Sequence, residues 1–433
     1  MSDDKRDEQN VFRIRNFRLV FFGALASGMG TMLYNFAVGF HILKISGNSA
    51  LLQGLYLAVC GVVMLLFTPI GGVAGDRFDK VKIMYICDFL YGGIILAGTA
   101  FMMLFPTTGV QIAILFFMGI SGNAIAGVFA PAAGALLPSI VPENKLQQAN
   151  AYSSLRSSFQ GIVGVILAGI LYSAIHVHTL FMLVGICFIA SSFSETLIRT
   201  PHIPSAGRLS FGMLRTDMAE GFRYVRGRKE IIALLVAVLF LNFYSAPIAG
   251  NFFPYFAKTD ITGGPSYLLD RLLTPELWSS VFSMAIGIGG IIGAAVLSSR
   301  AQVEKCGYTI AKRLLLTAGM IIMMTAGYYT LVRCGNLNAY LFLLTIICFG
   351  IGLVMSLVNI PVSTALIRMV HGDMLSKVNS IAGIGSQGLI PIASLLAGIV
   401  LQNFGSGGLL LYSSAGFSIV ALLMLKSRSI RNL

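Results

Sequence analysis

Twelve runs of about twenty apolar residues, parted by short polar segments, constrain this chain more than any other feature. A hydrocarbon layer about 30 Å thick is crossed by roughly 20 residues of α-helix. The runs lie near 19–43, 50–71, 83–105, 110–136, 157–175, 179–198, 231–256, 277–299, 314–332, 338–362, 378–402 and 407–425. Each is continuously apolar rather than alternating, which predicts helices and not the strands of a barrel. Only 11% of the 433 residues are charged, where a soluble domain carries about 25%. The expected fold is an all-α membrane protein of twelve transmembrane helices, multi-pass in a cell membrane (a bacterial inner or plasma membrane).

The charges report orientation. A formal charge of +13 on a soluble chain would suggest nucleic acid; here it falls on the loops, and no nucleic-acid partner is expected. Lysine and arginine gather on the cytoplasmic side of membrane proteins. With the N-terminus inside, 26 of the 30 cations lie on inner segments, and only Lys44, Lys258, Arg271 and Arg333 lie outside. Both termini are therefore expected in the cytoplasm. The first 18 residues are polar and the first apolar run is too long for a signal-peptide core, so no cleavable leader is expected. The six cysteines are scattered and suggest neither a disulfide framework nor a metal site.

The chain divides into a tail (1–18), a six-helix half (19–198), a linker (199–230), a second six-helix half (231–425) and a short tail (426–433). The linker places Phe211, Leu214, Met218, Phe222 and Val225 three and four residues apart among arginines. That pattern fits a basic amphipathic helix on an anionic membrane surface, with a solvated linker helix as the alternative. The halves resemble each other at an offset of 229: Leu137 matches Leu366, Val141 matches Val370, Leu146 matches Leu375 and Asn150 matches Asn379. Two repeated six-span halves suit a transporter that rocks about a midplane substrate site.

The segment "GGVAGDRFDKVKIM", residues 71–84, packs five charges into seven residues between two apolar runs. With the twelve spans and the basic central loop, it resembles the major facilitator superfamily. The motif of that family's second loop, Gly-x-x-x-Asp-Arg-x-x-basic, falls on Gly72, Asp76, Arg77 and Lys80. "DRFDKVKIMYICD", "IVPENKLQQANA" and "LAGILYS" are similar to the branch of macrolide-efflux proteins and enterobactin exporters. The resemblance implies a monomeric secondary transporter, not an enzyme, without cofactor or bound metal. It implies export of an amphipathic, drug-like molecule by alternating access, with a proton as counter-ion. Siderophore or lipid export, or a non-transporting receptor, are the alternatives. It also implies that Asp76 caps a helix end of the other half, near Ser376, and so helps latch a cytoplasmic gate. Helix N-termini carry unpaired N–H groups and partial positive charge that suit such a contact.

Asp88 and Arg156 are assigned to the same gate. Asp88 is a carboxylate inside an apolar run, expected to pair with Arg77 or Arg156 rather than to carry protons. Glu195, near the end of the sixth run, is expected to reach the interface. Asn35, Asn123, Gln160, Asn242, Asn359 and Gln387 fall in spans that line the cavity in this superfamily, and form the expected substrate surface. Gly122, Ala126, Ala130 and Gly134 recur every four residues and predict one flat helix-packing face. The chain departs from the family pattern where Val165 follows Gly164, a place where antiporters often carry Gly-Pro, and it has no arginine around Gly122.

Overall fold

The structure, a computed structural model, describes residues 10–199, 219–220, 222–261, 274–298, 306–370, 378, 383 and 385–427. Among these the chain is helical, with no strand. In a bilayer every backbone polar group must find its partner within the chain, and a helix does this locally.

Among the described residues eleven segments are long and apolar enough to cross a membrane. They are α1 (Arg15–Ile45), α2 (Ala50–Arg77), α3 (Lys80–Leu104), α4 (Thr108–Ile140), α5 (146–174), α6 (Val177–Thr196), α7 (229–261), α8 (Pro275–Ser298), α9 (306–332), α10 (Leu337–Met369) and α11 (Ile390–Lys426). The last spans two of the twelve predicted runs. Its 37 residues are interrupted at Gly405, whose φ of 66° and ψ of −170° are not helical. Positive φ is open to glycine because it has no Cβ to collide with the backbone.

Among the described residues four π-turns break the helical ladder: Gln160–Gly164 in α5, Ile248–Phe252 and Ala257–Ile261 in α7, and Tyr328–Val332 in α9. Such turns are uncommon and concentrate at functional sites.

The chain forms two compact units: 1–45 with 59–209, and 46–58 with 210–433. The break at 209/210 falls inside the predicted linker. The start of α2, however, groups with the second unit.

In the first unit α3 and α1 pack along α6, and α4 packs on α3. In the second, α8 packs along α10, α9 lies against α10 and α11, and α7 lies against α11. Lipid tails are as apolar as leucine, so burial gives these helices little reason to associate; close backbone approach does. A Cβ on Gly352 would run into the backbone carbonyl of Ile286, and one on Gly289 into that of Phe349. In the first unit Gly92 and Gly185 face each other across α3 and α6, with a Gly92 Cβ falling 2.9 Å from the Gly185 oxygen.

The predicted small-residue face of α4 does not pack as one surface. Gly122 admits the Tyr91 ring and Gly134 has open space, while Gly127, off that row, meets α2 at Gly71. A four-residue repeat drifts around a helix of 3.6 residues per turn, so it does not hold one face from Gly122 to Gly134.

Phe211, Leu214 and Met218 of the predicted amphipathic helix lie outside the described residues. Its end is packed: Val225 is buried with Ile231, Val370 and Val378, and Arg228 donates to the Met369 carbonyl at 2.7 Å.

Gly352→Ala should therefore destabilise the protein by about 1–3 kcal/mol through overpacking, while Gly134→Ala should be neutral or slightly stabilising. Thermal unfolding in detergent checks this; equal effects at both positions would contradict the packing described.

Candidate functional site

The six polar positions expected on the substrate surface divide into two groups. Asn35, Asn359 and Gln387 are exposed on their helices. The other three are held by the backbone. Asn123 donates to Gly119 of its own helix at 2.9 Å. Asn242 on α7 donates to the Ser386 carbonyl at 2.9 Å. Gln160 is buried, and its amide donates to the carbonyls of Ala24 at 2.7 Å and Leu25 at 3.2 Å on α1. Gly28 makes room for it, since a Cβ there would collide with the Gln160 amide.

Two buried amides that the sequence reading passed over behave similarly. Asn251, within a π-turn of α7, donates to the Ser394 carbonyl at 3.2 Å, and Gln53 donates to Gly250 in the same turn at 3.4 Å. A π-turn shifts the backbone ladder by one residue and leaves groups to be satisfied from outside. Neither amide falls in a motif; the signal was a polar residue within an apolar run.

In the charged loop, Asp79 is the N-cap of α3. Its carboxylate accepts from the N–H groups of Val81 at 3.0 Å and Lys82 at 3.4 Å. An aspartate at this position satisfies orphan donors and complements the helix dipole. Gly72 is helical with open space where a Cβ would stand, Arg77 is exposed and Lys80 half-buried. The side chain of Asp76 and its expected docking region at Ser376 lie outside the described residues.

Asp88 sits elsewhere than expected. It is buried in α3 against α6, and it forms no ion pair with Arg77 or Arg156 among the described residues. Arg156 is half-buried on α5. The charged neighbour of Asp88 is Glu195, itself fully buried rather than at an interface. The hydroxyls of Ser27 and Ser191 flank the Asp88 carboxyl. Helix periodicity explains the difference: Asp88 lies two turns beyond Lys80 on the face that α6 covers.

At the other end of α7, Asp260 gathers three donors. Its carboxylate accepts from Thr259 at 2.8 Å, Tyr328 at 2.8 Å and Ser406 at 2.6 Å. These bonds tie the second π-turn of α7 to the π-turn of α9 and to the break at Gly405. Charge-assisted bonds of this kind are about twice as strong as neutral ones. Beside them Lys258 and Glu276 form an ion pair at 3.7 Å.

Because Gly28 and Gln160 share one contact, Gly28→Ala and Gln160→Leu should each lower stability by about 1–2 kcal/mol. The double variant should cost clearly less than the sum. Unfolding curves of the four proteins measure this, and strict additivity would contradict the assigned contact.

Comparisons with known proteins agree with this architecture. The sequence profile of the Major Facilitator Superfamily matches residues 20–390. The chain is 25% identical over 408 residues to an uncharacterized MFS-type transporter, YkuC, of Bacillus subtilis, covering 91% of this chain and 87% of that one. It is likewise 25% identical over 430 residues to macrolide efflux protein A of Streptococcus pyogenes, covering 97% and 99%. Among solved structures, the nucleoside transporter NupG superposes with a TM-score of 0.74 at 11% identity, over 95% of this chain and 99% of that chain, a likeness of fold alone. The chain is thus a multi-pass membrane transporter rather than an enzyme, and it belongs to the Major Facilitator Superfamily.

Proposed function

We propose that this protein is a secondary transporter that exports an amphipathic, drug-like small molecule by alternating access, exchanging it for protons. The observation that carries this reading is the full-length similarity to a macrolide efflux protein, at 97% of this chain and 99% of the relative. The family itself acts on small molecules in the membrane.

Twelve crossings with both termini cytoplasmic fit this reading. At about 1.5 Å per residue, the 37 residues of α11 are far longer than one crossing of about 30 Å, and the break at Gly405 suits a turn between two spans. The placement of 26 of the 30 cations on inner segments supports the orientation. The protein is taken to work as a monomer.

Within the polar set, Asn35, Asn359 and Gln387 are assigned to the substrate, because their side chains are exposed and free to turn. Asn123, Gln160 and Asn242 are assigned to holding backbone carbonyls. A pocket that binds a bulky apolar ligand needs only a few polar groups to orient it. Gly72, Asp76, Arg77, Lys80 and Arg156 are assigned to the cytoplasmic gate. A polar contact that breaks and reforms keeps two states within a few kcal/mol of each other.

In inverted membrane vesicles an acidified lumen should drive accumulation of a labelled macrolide. Asn35→Ala or Asn359→Ala should reduce its initial rate by about tenfold, the equivalent of about 1.4 kcal/mol, without loss of protein from the membrane. Unchanged rates in both variants would remove these residues from the substrate path. Accumulation of a siderophore or a lipid in place of the macrolide would redirect the substrate class.

A further inference from the structure

Three carboxyl oxygens in the first unit have no hydrogen-bond partner: Oδ2 of Asp88 and both Oε atoms of Glu195. Their residues are 3% and 0% exposed. The two carboxyls lie within each other's electrostatic reach, one from α3 and one from α6. The surrounding hydroxyls do not satisfy them fully. Ser191 and Ser27 approach Asp88, yet both hydroxyls also reach the Gly23 carbonyl on α1, at 2.9 and 3.3 Å. α1 comes close to both groups here: a Cβ at Gly23 would stand 3.4 Å from Ser191 Oγ and 3.5 Å from Glu195 Cγ, ordinary contact distances.

Among the described residues no fixed cation forms an ion pair with either acid. On α3 the thiol of Cys87 lies in the pair's field, while Lys80 and Lys82, at the start of the helix, form no ion pair with either acid among the described residues. On α1 the nearest cation is Arg18, exposed and more than a turn from Gly23. Arg199, beyond the end of α6, is exposed. The sequence of α4, the other helix packed on α3, carries no titratable side chain. On α5, Arg156 is the one cation in the described helix, and it makes no ion pair with either acid. Two adjacent carboxylates in a dry interior cannot both keep an uncompensated charge, because each loses hydration and repels the other.

We propose that Asp88 and Glu195 form the coupling-ion site of the transporter, and that its occupant is a single exchangeable proton held between the two carboxyls. A proton on either carboxyl removes one of the two charges and so relieves both the lost hydration and the mutual repulsion. A proton also fits where helices already close on one another, whereas a metal ion takes several oxygens at 2 Å or more, about the spacing of its coordination sphere. Releasing the proton leaves two charges that the closed packing of α1, α3 and α6 does not accommodate, so uptake and release are tied to how tightly those helices pack. Coupling in this form rests on the transporter reading above; protonation of the pair does not.

The test uses the full chain in liposomes and infrared difference spectroscopy as pH is stepped between about 5 and about 9. The wild type should show a protonated-carboxyl C=O band that titrates with pH and shifts in D2O. Glu195→Gln and Asp88→Asn/Glu195→Gln should lose it. Replacing potassium with sodium at fixed pH should leave it unchanged. Circular dichroism and gel filtration keep the comparison to folded variants; if the double variant fails to fold, Glu195→Gln alone carries it. A spectrum without any band that these substitutions remove would overturn the proposal. So would loss of the band on adding sodium, which would make the occupant a metal ion. In vesicles, the double variant should lose gradient-driven macrolide accumulation by at least about tenfold yet keep downhill exchange. Gradient-driven accumulation at the wild-type level would overturn the coupling role. A wild type that moves no macrolide would count against the substrate reading alone, with the spectrum still deciding the proton site.

Discussion

The interior of a bilayer offers no water to hydrogen-bond with, and each feature of this protein answers to that constraint. The described backbone is helical apart from short connections, because a helix satisfies its own amides. Departures from the ladder are met by particular side chains. Gln53 caps a carbonyl in the first π-turn of α7, and Asp260 draws donors from the π-turn of α9 and from beside the break at Gly405. Where burial gives no driving force, glycines bring backbones together, as Gly352 does against Ile286. Within this economy an unsatisfied polar group is conspicuous, and Asp88 and Glu195 supply three such oxygens at one place.

That contrast separates two kinds of polar residue in the helices. Gln160, Asn242 and Asn251 donate to carbonyls of neighbouring helices and act as fixed ties. Asn35, Asn359 and Gln387 are exposed and uncommitted. A transporter needs both kinds: rigid bodies that move as wholes, and groups whose partners change as the substrate passes.

Much of the fold is legible in the sequence because hydropathy reports helix length directly. The run at 83–105 becomes Lys80–Leu104, and that at 179–198 becomes Val177–Thr196. Gly405 was readable as the gap between two runs, although the helices continue to its edges. The facing of each helix was not legible. An asparagine in an apolar run looks the same whether it meets substrate, lipid or a carbonyl, so Asn35 and Asn123 could not be told apart. The pairing of Asp88 with Glu195 was also hidden. Each acid was visible alone, but they are 107 residues apart (88 to 195), and nothing local to either sequence indicates the other. The expected partners Arg77 and Arg156 follow from a shared place near the inner side of the membrane, which does not determine the face that α6 covers.

Alternating access is the central claim, and it is tested most directly by chemical accessibility from the two sides of the membrane. Single cysteines at positions 35 and 359, in a background without the six native cysteines, would be treated with a membrane-impermeant maleimide applied to one side and then the other. Reaction at both positions from both sides, with substrate shifting the ratio, is the expected result. Reaction only with a membrane-soluble maleimide would place both positions against lipid and contradict the transport path drawn here.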